Sequence, residues 1–83
     1  MEKSLFTKLH NTKFPIFMEK DEDGFYVVEC PVFRGCYSQG KTVDEALKNI
    51  KEVMELLLEE DENQKIMESY QPSELSLHAI SIR

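Results

Sequence analysis

Thr42 and Glu45 stand three residues apart at the head of a long amphipathic run, and this pair fixes where the main helix of the chain begins. In such a capping box the Thr hydroxyl accepts from the backbone N–H of Glu45, while the Glu45 carboxylate reaches back to the N–H of Thr42. Behind it, Val43, Ala46, Leu47, Ile50, Val53, Met54, Leu57 and Leu58 fall within about 140° of arc at 100° per residue. The stripe predicts a helix over 43–58 that lays one face on a core. Leu56 lies outside the arc among Glu52, Glu55, Glu59 and Glu60, which makes it a candidate contact on the outer side.

Two runs of strand character precede the helix, over 14–20 and 25–30, separated by Asp21-Glu22-Asp23-Gly24. In the first, Phe14, Ile16 and Met18 share one face and Phe17 the other. Pro15 cannot donate a ladder hydrogen bond and belongs at a strand start or an edge. In the second, Phe25 and Val27 point one way and Tyr26, Val28 and Cys30 the other, so both faces carry large apolar groups. One helix covers one face only. The other face is expected to meet a second copy of the chain, with Phe17, Tyr26 and Leu56 as candidate contacts in a homodimer or higher oligomer.

Pro31 ends the second strand, Val32-Phe33-Arg34-Gly35 form a loop, residues 36–39 return as a third strand, and Gly40 turns into the helix. After Glu60 the stripe fails, and 61–73 reads as a connector. Leu75, Leu77 and Ala79 alternating with Ser76, His78, Ile80 and Ile82 predict a final strand over 74–83. Such a strand can rejoin the sheet by a right-handed crossover. The expected class is α+β in the order β-β-β-α-β: an antiparallel three-stranded sheet plus a final strand, with one long helix on one face. Residues 1–83 form a single domain, with an arm over 1–13 and a β-β-β-α core over 14–60.

A chain of 83 residues buries only about 60–65% of the surface it exposes when unfolded, which again favours association. Its net charge of −6 opposes nucleic-acid binding, which rests on Lys and Arg displacing counterions. The same charge favours encounter with a basic protein. No apolar run approaches the roughly 20 residues that span a bilayer, and no leader-like segment precedes the first strand, so a cytoplasmic protein is expected. Two cysteines, Cys30 and Cys36, are too few for a secreted disulfide framework, and reduced thiols are the expectation.

The residues offer little for catalysis. Asp21, Glu22 and Asp23 follow one another on a hairpin tip, where they point in different directions, whereas a two-metal nuclease needs carboxylates converging from several strands. Cys30, Cys36, His10 and His78 match no zinc-ligand spacing. Neither histidine has a Ser or Cys partner in triad order. The chain is therefore expected to be no enzyme, with no catalytic, metal or cofactor residues. Phe33 and Arg34 are better binding candidates, because aromatic residues and Arg are enriched at interface hot spots; Phe33 can equally cap one end of the core.

The series Phe14-Pro15-Ile16-Phe17, Glu19-Lys20-Asp21-Glu22-Asp23-Gly24-Phe25-Tyr26-Val27-Val28, then Pro31, Gly35-Cys36, Ser38, Gly40, Thr42 and Glu45-Ala46-Leu47 resembles the HicB antitoxin family. The likeness runs through residues 14–60, with a strand such as 78–82 expected after it. It implies a partial RNase H-like sheet. It also implies a partner, HicA, a small basic ribonuclease that cleaves mRNA and whose catalytic histidine the antitoxin covers. Candidate partner contacts are Phe33, Arg34, Tyr37, Asp21, Glu22 and Asp23. Val32, Phe33 and Arg34 depart from the Asp, Leu and Pro usual in the family at this loop. Many relatives carry a DNA-binding segment at the C-terminus; the chain ends at Arg83, so toxin neutralisation without DNA binding is expected. The alternative reading is a stand-alone structural domain of the same fold with no toxin partner.

Overall fold

The computed structural model of the protein describes residues 12–71 and 76–82. Three strands, β1 (Phe17–Lys20), β2 (Tyr26–Glu29) and β3 (Tyr37–Gly40), are followed by two helices, α1 (Val43–Leu57) and α2 (Asp61–Ser69). The strands form an antiparallel sheet in the order β1-β2-β3. An α+β class with a three-stranded antiparallel sheet is thus established.

Asp21 makes the hairpin turn. Its carboxylate accepts from the backbone N–H of Asp23 at 3.0 Å and of Phe25 at 2.8 Å. Gly24 completes the turn at φ 89°, in the region that side chains with a Cβ rarely occupy. At the other end of β2, the N–H of Cys30 donates to the Cys36 carbonyl at 2.9 Å, adding one rung beyond the β2–β3 ladder.

α1 begins as its cap dictates, with a variation. Thr42 Oγ1 accepts from the Glu45 N–H at 3.1 Å, but the Glu45 carboxylate reaches the N–H of Lys41, at 2.8 Å, rather than that of Thr42. Ala46, Ile50 and Met54 are buried on the sheet-facing side of α1, and the Asn49 side chain donates to the Gln39 carbonyl at 2.8 Å, tying helix to β3. Val43 and Leu47 sit at the margin of the stripe, about 40% exposed. Val28, Cys30, Phe33 and Cys36 complete the core from the sheet and loop, and Met67 from α2.

α2 occupies most of the segment expected to be a connector. The polar residues that interrupt the stripe build the junction: Asn63 Nδ2 donates to the Leu57 carbonyl at 2.8 Å, and Gln64 Nε2 to that of Leu58 at 2.9 Å. These carbonyls belong to the end of α1, where intrahelical donors run out. Met67 then enters the core fully buried.

Residues 76–82 form no strand of their own or with the sheet, and all are exposed; the final strand expected there is not part of the observed sheet. Residues 74, 75 and 83 of that expectation lie outside the described residues, as does the arm over 1–13 apart from Thr12 and Lys13.

Candidate functional site: the open face of the sheet

Among the described residues, the sheet has one face under α1 and one face that no element covers. Register decides which residues go where: Phe17 pairs with Glu29 and Glu29 with Tyr37, while Glu19 pairs with Val27 and Val27 with Gln39. Side chains of directly paired residues share a face, and successive residues alternate. Val28 is fully buried beneath the helix, so these two rows lie on the open side. Phe17 is 55% exposed and Tyr37 67%.

Phe17, Glu19, Asp21, Val27, Glu29 and Tyr37 line a shallow hollow of about 520 Å³ on this face. Among the described residues its chemistry is two aromatic rings and a valine set among three carboxylates, with no cation in that part of the lining. Such a surface presents an apolar patch and a negative field together. It is suited to a partner that brings both Lys or Arg and an apolar contact.

The structure separates residues that the sequence reading grouped. Tyr26 shares the helix-covered face with Val28 and packs partly buried against the core, its ring 5.6 Å from Lys20 Nζ. It is on the opposite side of the sheet from Phe17. Phe33 is a core residue, 2% exposed, with its ring 5.6 Å from that of Phe14, which in turn stacks on Tyr70 at 5.0 Å. Of the two readings of Phe33, the core cap is the one realised. Arg34 beside it is exposed, as are Glu22 and Asp23 at the hairpin tip. Asp21 joins the open face, but its carboxylate is engaged by the turn. Leu56 is 65% exposed on the outer side of α1.

Val27, Glu19, Glu29 and Gln39 are the members that sequence reasoning missed. The signal was present in the alternation of β2, which already put Val27 opposite Val28. What was lacking was the register that sets Glu29 between Phe17 and Tyr37.

The two cysteines adjoin each other in the core. Burial raises the pKa of Cys30 above its ordinary value. Burial, together with the charge of Cys30, pushes that of Cys36 up to about 11. His78 lies in the exposed 76–82 segment, and His10 is outside the described residues. Among the described residues no helix is long and apolar enough to cross a membrane.

The combination of a short antiparallel sheet, a capped helix on one face and an acidic, aromatic opposite face defines a small α+β domain. A family described as the HicB-like antitoxin of bacterial toxin-antitoxin systems matches residues 14–79. The chain belongs to this family. It is 50% identical over 54 residues to a UPF0150 protein of Synechocystis sp., covering 65% of this chain and 78% of that one. A UPF0150 protein of Thermoplasma acidophilum is 44% identical over 69 residues, 81% of this chain and 99% of the relative. One of Archaeoglobus fulgidus is 51% identical over 51 residues, 61% and 74% of the two chains. No solved structure gives a significant match. Membership of an antitoxin family implies a toxin partner and suggests a regulatory rather than enzymatic role.

Proposed function

We propose that the chain neutralises a small basic ribonuclease of the HicA type in the cytoplasm by binding it through the open face of the sheet and covering its active site. The observation that carries this reading is the hollow in which Phe17, Val27 and Tyr37 are framed by Glu19, Asp21 and Glu29. Desolvated aromatic anchors supply affinity at protein interfaces, and the surrounding carboxylates steer a cationic partner to them. A net charge of −6 extends the same field over the molecule.

In this reading the three strands are the core of an RNase H-like sheet, and residues 76–82, which pair with no strand in the structure, run along its β1 edge. Support comes from Leu77, which closes one side of a depression along Ile16, Phe17, Met18 and Glu19, next to the edge of β1 that no described residue pairs. The chain also self-associates. A sheet-to-sheet dimer would bring Glu19 and Glu29 of two copies together, and like charges facing each other are unfavourable. Self-association is therefore assigned to Leu56 and to the exposed Leu77, Ile80 and Ile82.

Titration of the chain into an RNA-cleavage assay of a basic HicA-type ribonuclease tests the central claim. Cleavage should fall to background at equimolar chain, and the inhibition should weaken with salt. Undiminished cleavage with saturating chain would refute the reading.

A further inference from the structure

Cys30 and Cys36 take no part in the proposed binding face, yet they are held as a pair. Both are free and buried. They stand opposite each other across the rung that follows Glu29 and Tyr37 in the β2–β3 register, where the Cys30 N–H donates to the Cys36 carbonyl at 2.9 Å. Only this one bond of the rung is made, because the Cys36 N–H turns to the Phe33 carbonyl at 3.4 Å; directly opposed residues of an antiparallel ladder have Cα atoms about 4.5–5.5 Å apart. Disulfides span about 4.4–6.8 Å between Cα atoms, a range that contains that separation. Both side chains leave the sheet on the helix-covered side and are buried there together in the core. The backbone is thus already placed for a bond that the reduced sulfurs do not make.

We propose that Cys30 and Cys36 form a modification site, a dithiol that hydrogen peroxide converts to an intramolecular disulfide. One thiolate attacks a peroxide oxygen, breaking the O–O bond and leaving a sulfenic acid and a hydroxide. The second sulfur then displaces the sulfenic oxygen, forming the S–S bond. The two thiol protons end in two molecules of water, and the two electrons lost by the sulfurs reduce the peroxide. The new bond closes the loop of residues 31–35, which turns Phe33 into the core and Arg34 to solvent.

The reaction is slow at neutral pH, because the thiolate is the nucleophile and burial disfavours it at both positions. Its rate rises as pH is raised toward the Cys36 value. A neighbouring thiol then captures the sulfenic acid faster than a second peroxide does.

The test exposes the full chain to hydrogen peroxide, alkylates it with iodoacetamide under denaturing conditions and measures intact mass. The expected product is a monomer lighter by two hydrogens that carries no alkyl group and regains both alkylation sites after dithiothreitol. Cys30→Ser and Cys36→Ser, with unchanged circular dichroism, should each lose that product and keep one alkylatable thiol. Two free thiols after exposure, a linkage between chains, or added oxygen on a sulfur in place of the hydrogen loss would each overturn the proposal.

Discussion

A Cβ placed on Gly40 would stand 2.5 Å from the backbone nitrogen of Ala46 and 2.9 Å from its Cα. The last residue of β3 and the first buried residue of α1 are therefore in backbone-to-backbone contact, and this contact sets how closely the helix lies on the sheet. The obstruction is backbone, which cannot swing aside as a long side chain does.

Gly40→Ala should accordingly destabilise the fold by about 3 kcal/mol, the upper range for overpacking a core. The glycine is required by proximity and not by a positive φ. Urea unfolding followed by circular dichroism checks this; a change within about 0.5 kcal/mol, typical of an uninvolved surface site, would show that the helix shifts freely.

Asn63 joins the two helices by donating to the Leu57 carbonyl at 2.8 Å and to a Glu60 carboxylate oxygen at 3.3 Å. It is 7% exposed, and its removal leaves the Leu57 carbonyl with only the Glu60 N–H at 3.1 Å. Asn63→Ala is expected to cost about 1 kcal/mol, the net worth of a lost hydrogen bond where the acceptor keeps a second donor. Gln64→Ala removes the donor to the Leu58 carbonyl at a more accessible position, and should cost a similar amount. Amide hydrogen exchange should show faster opening of α2 in the first variant with β1–β3 unaffected.

That junction also explains what the sequence conceals. The α1 stripe was legible because a capping box and fifteen residues of unbroken period announce it. Asp61, Glu62, Asn63 and Gln64 read as a charged break because their type suits solvent, yet two of them serve the carbonyls of α1 and the run opens α2. Asn63, Ile66, Met67 and Tyr70 have helical spacing of their own, in a phase unrelated to α1 and with a polar residue at its head. Strand alternation was likewise readable, and it put Phe17 and Val28 on the correct faces. Tyr26 and Phe17 do not share a face, because apolar groups on both sides of β2 do not by themselves tell which of them the helix covers. Phe33 was ambiguous in principle: a loop aromatic looks the same in sequence whether Phe14 and Tyr70 are there to receive it or not.

The buried thiols make stability depend on alkaline pH. The ordinary value for such a thiol is 9.0, and Cys36 is raised to about 11 in the folded chain. Between these values the unfolded chain has lost a proton that the folded chain retains, so stability is fully present below pH 9 and declines as pH rises toward 11. The loss is on the order of 2–3 kcal/mol at about 1.4 kcal/mol per pKa unit. Urea midpoints measured under reducing conditions from pH 7 to 11 should fall along this limb. Cys36→Ser, whatever its stability at neutral pH, should show a shallower decline, and an equally steep one would assign the limb to other groups.

Tyr37 and Phe17 flank Glu29 on the open face, and the three test different parts of the proposed interface. Tyr37→Ala removes an exposed ring whose burial by the toxin would make it an anchor; the expected cost is about 2 kcal/mol, a roughly thirtyfold weaker complex expressed mainly as faster dissociation. Glu29→Gln keeps the shape but removes a charge, so association should slow and the salt dependence of that rate should flatten. Leu56→Glu, on the far side of α1, should leave toxin binding unchanged while shifting light scattering toward monomer. Surface plasmon resonance with the ribonuclease immobilised separates the two rate effects. If Leu56→Glu weakens binding as much as Tyr37→Ala does while the open-face variants bind normally, the toxin docks on the helix, and the open face must then be assigned to the second copy.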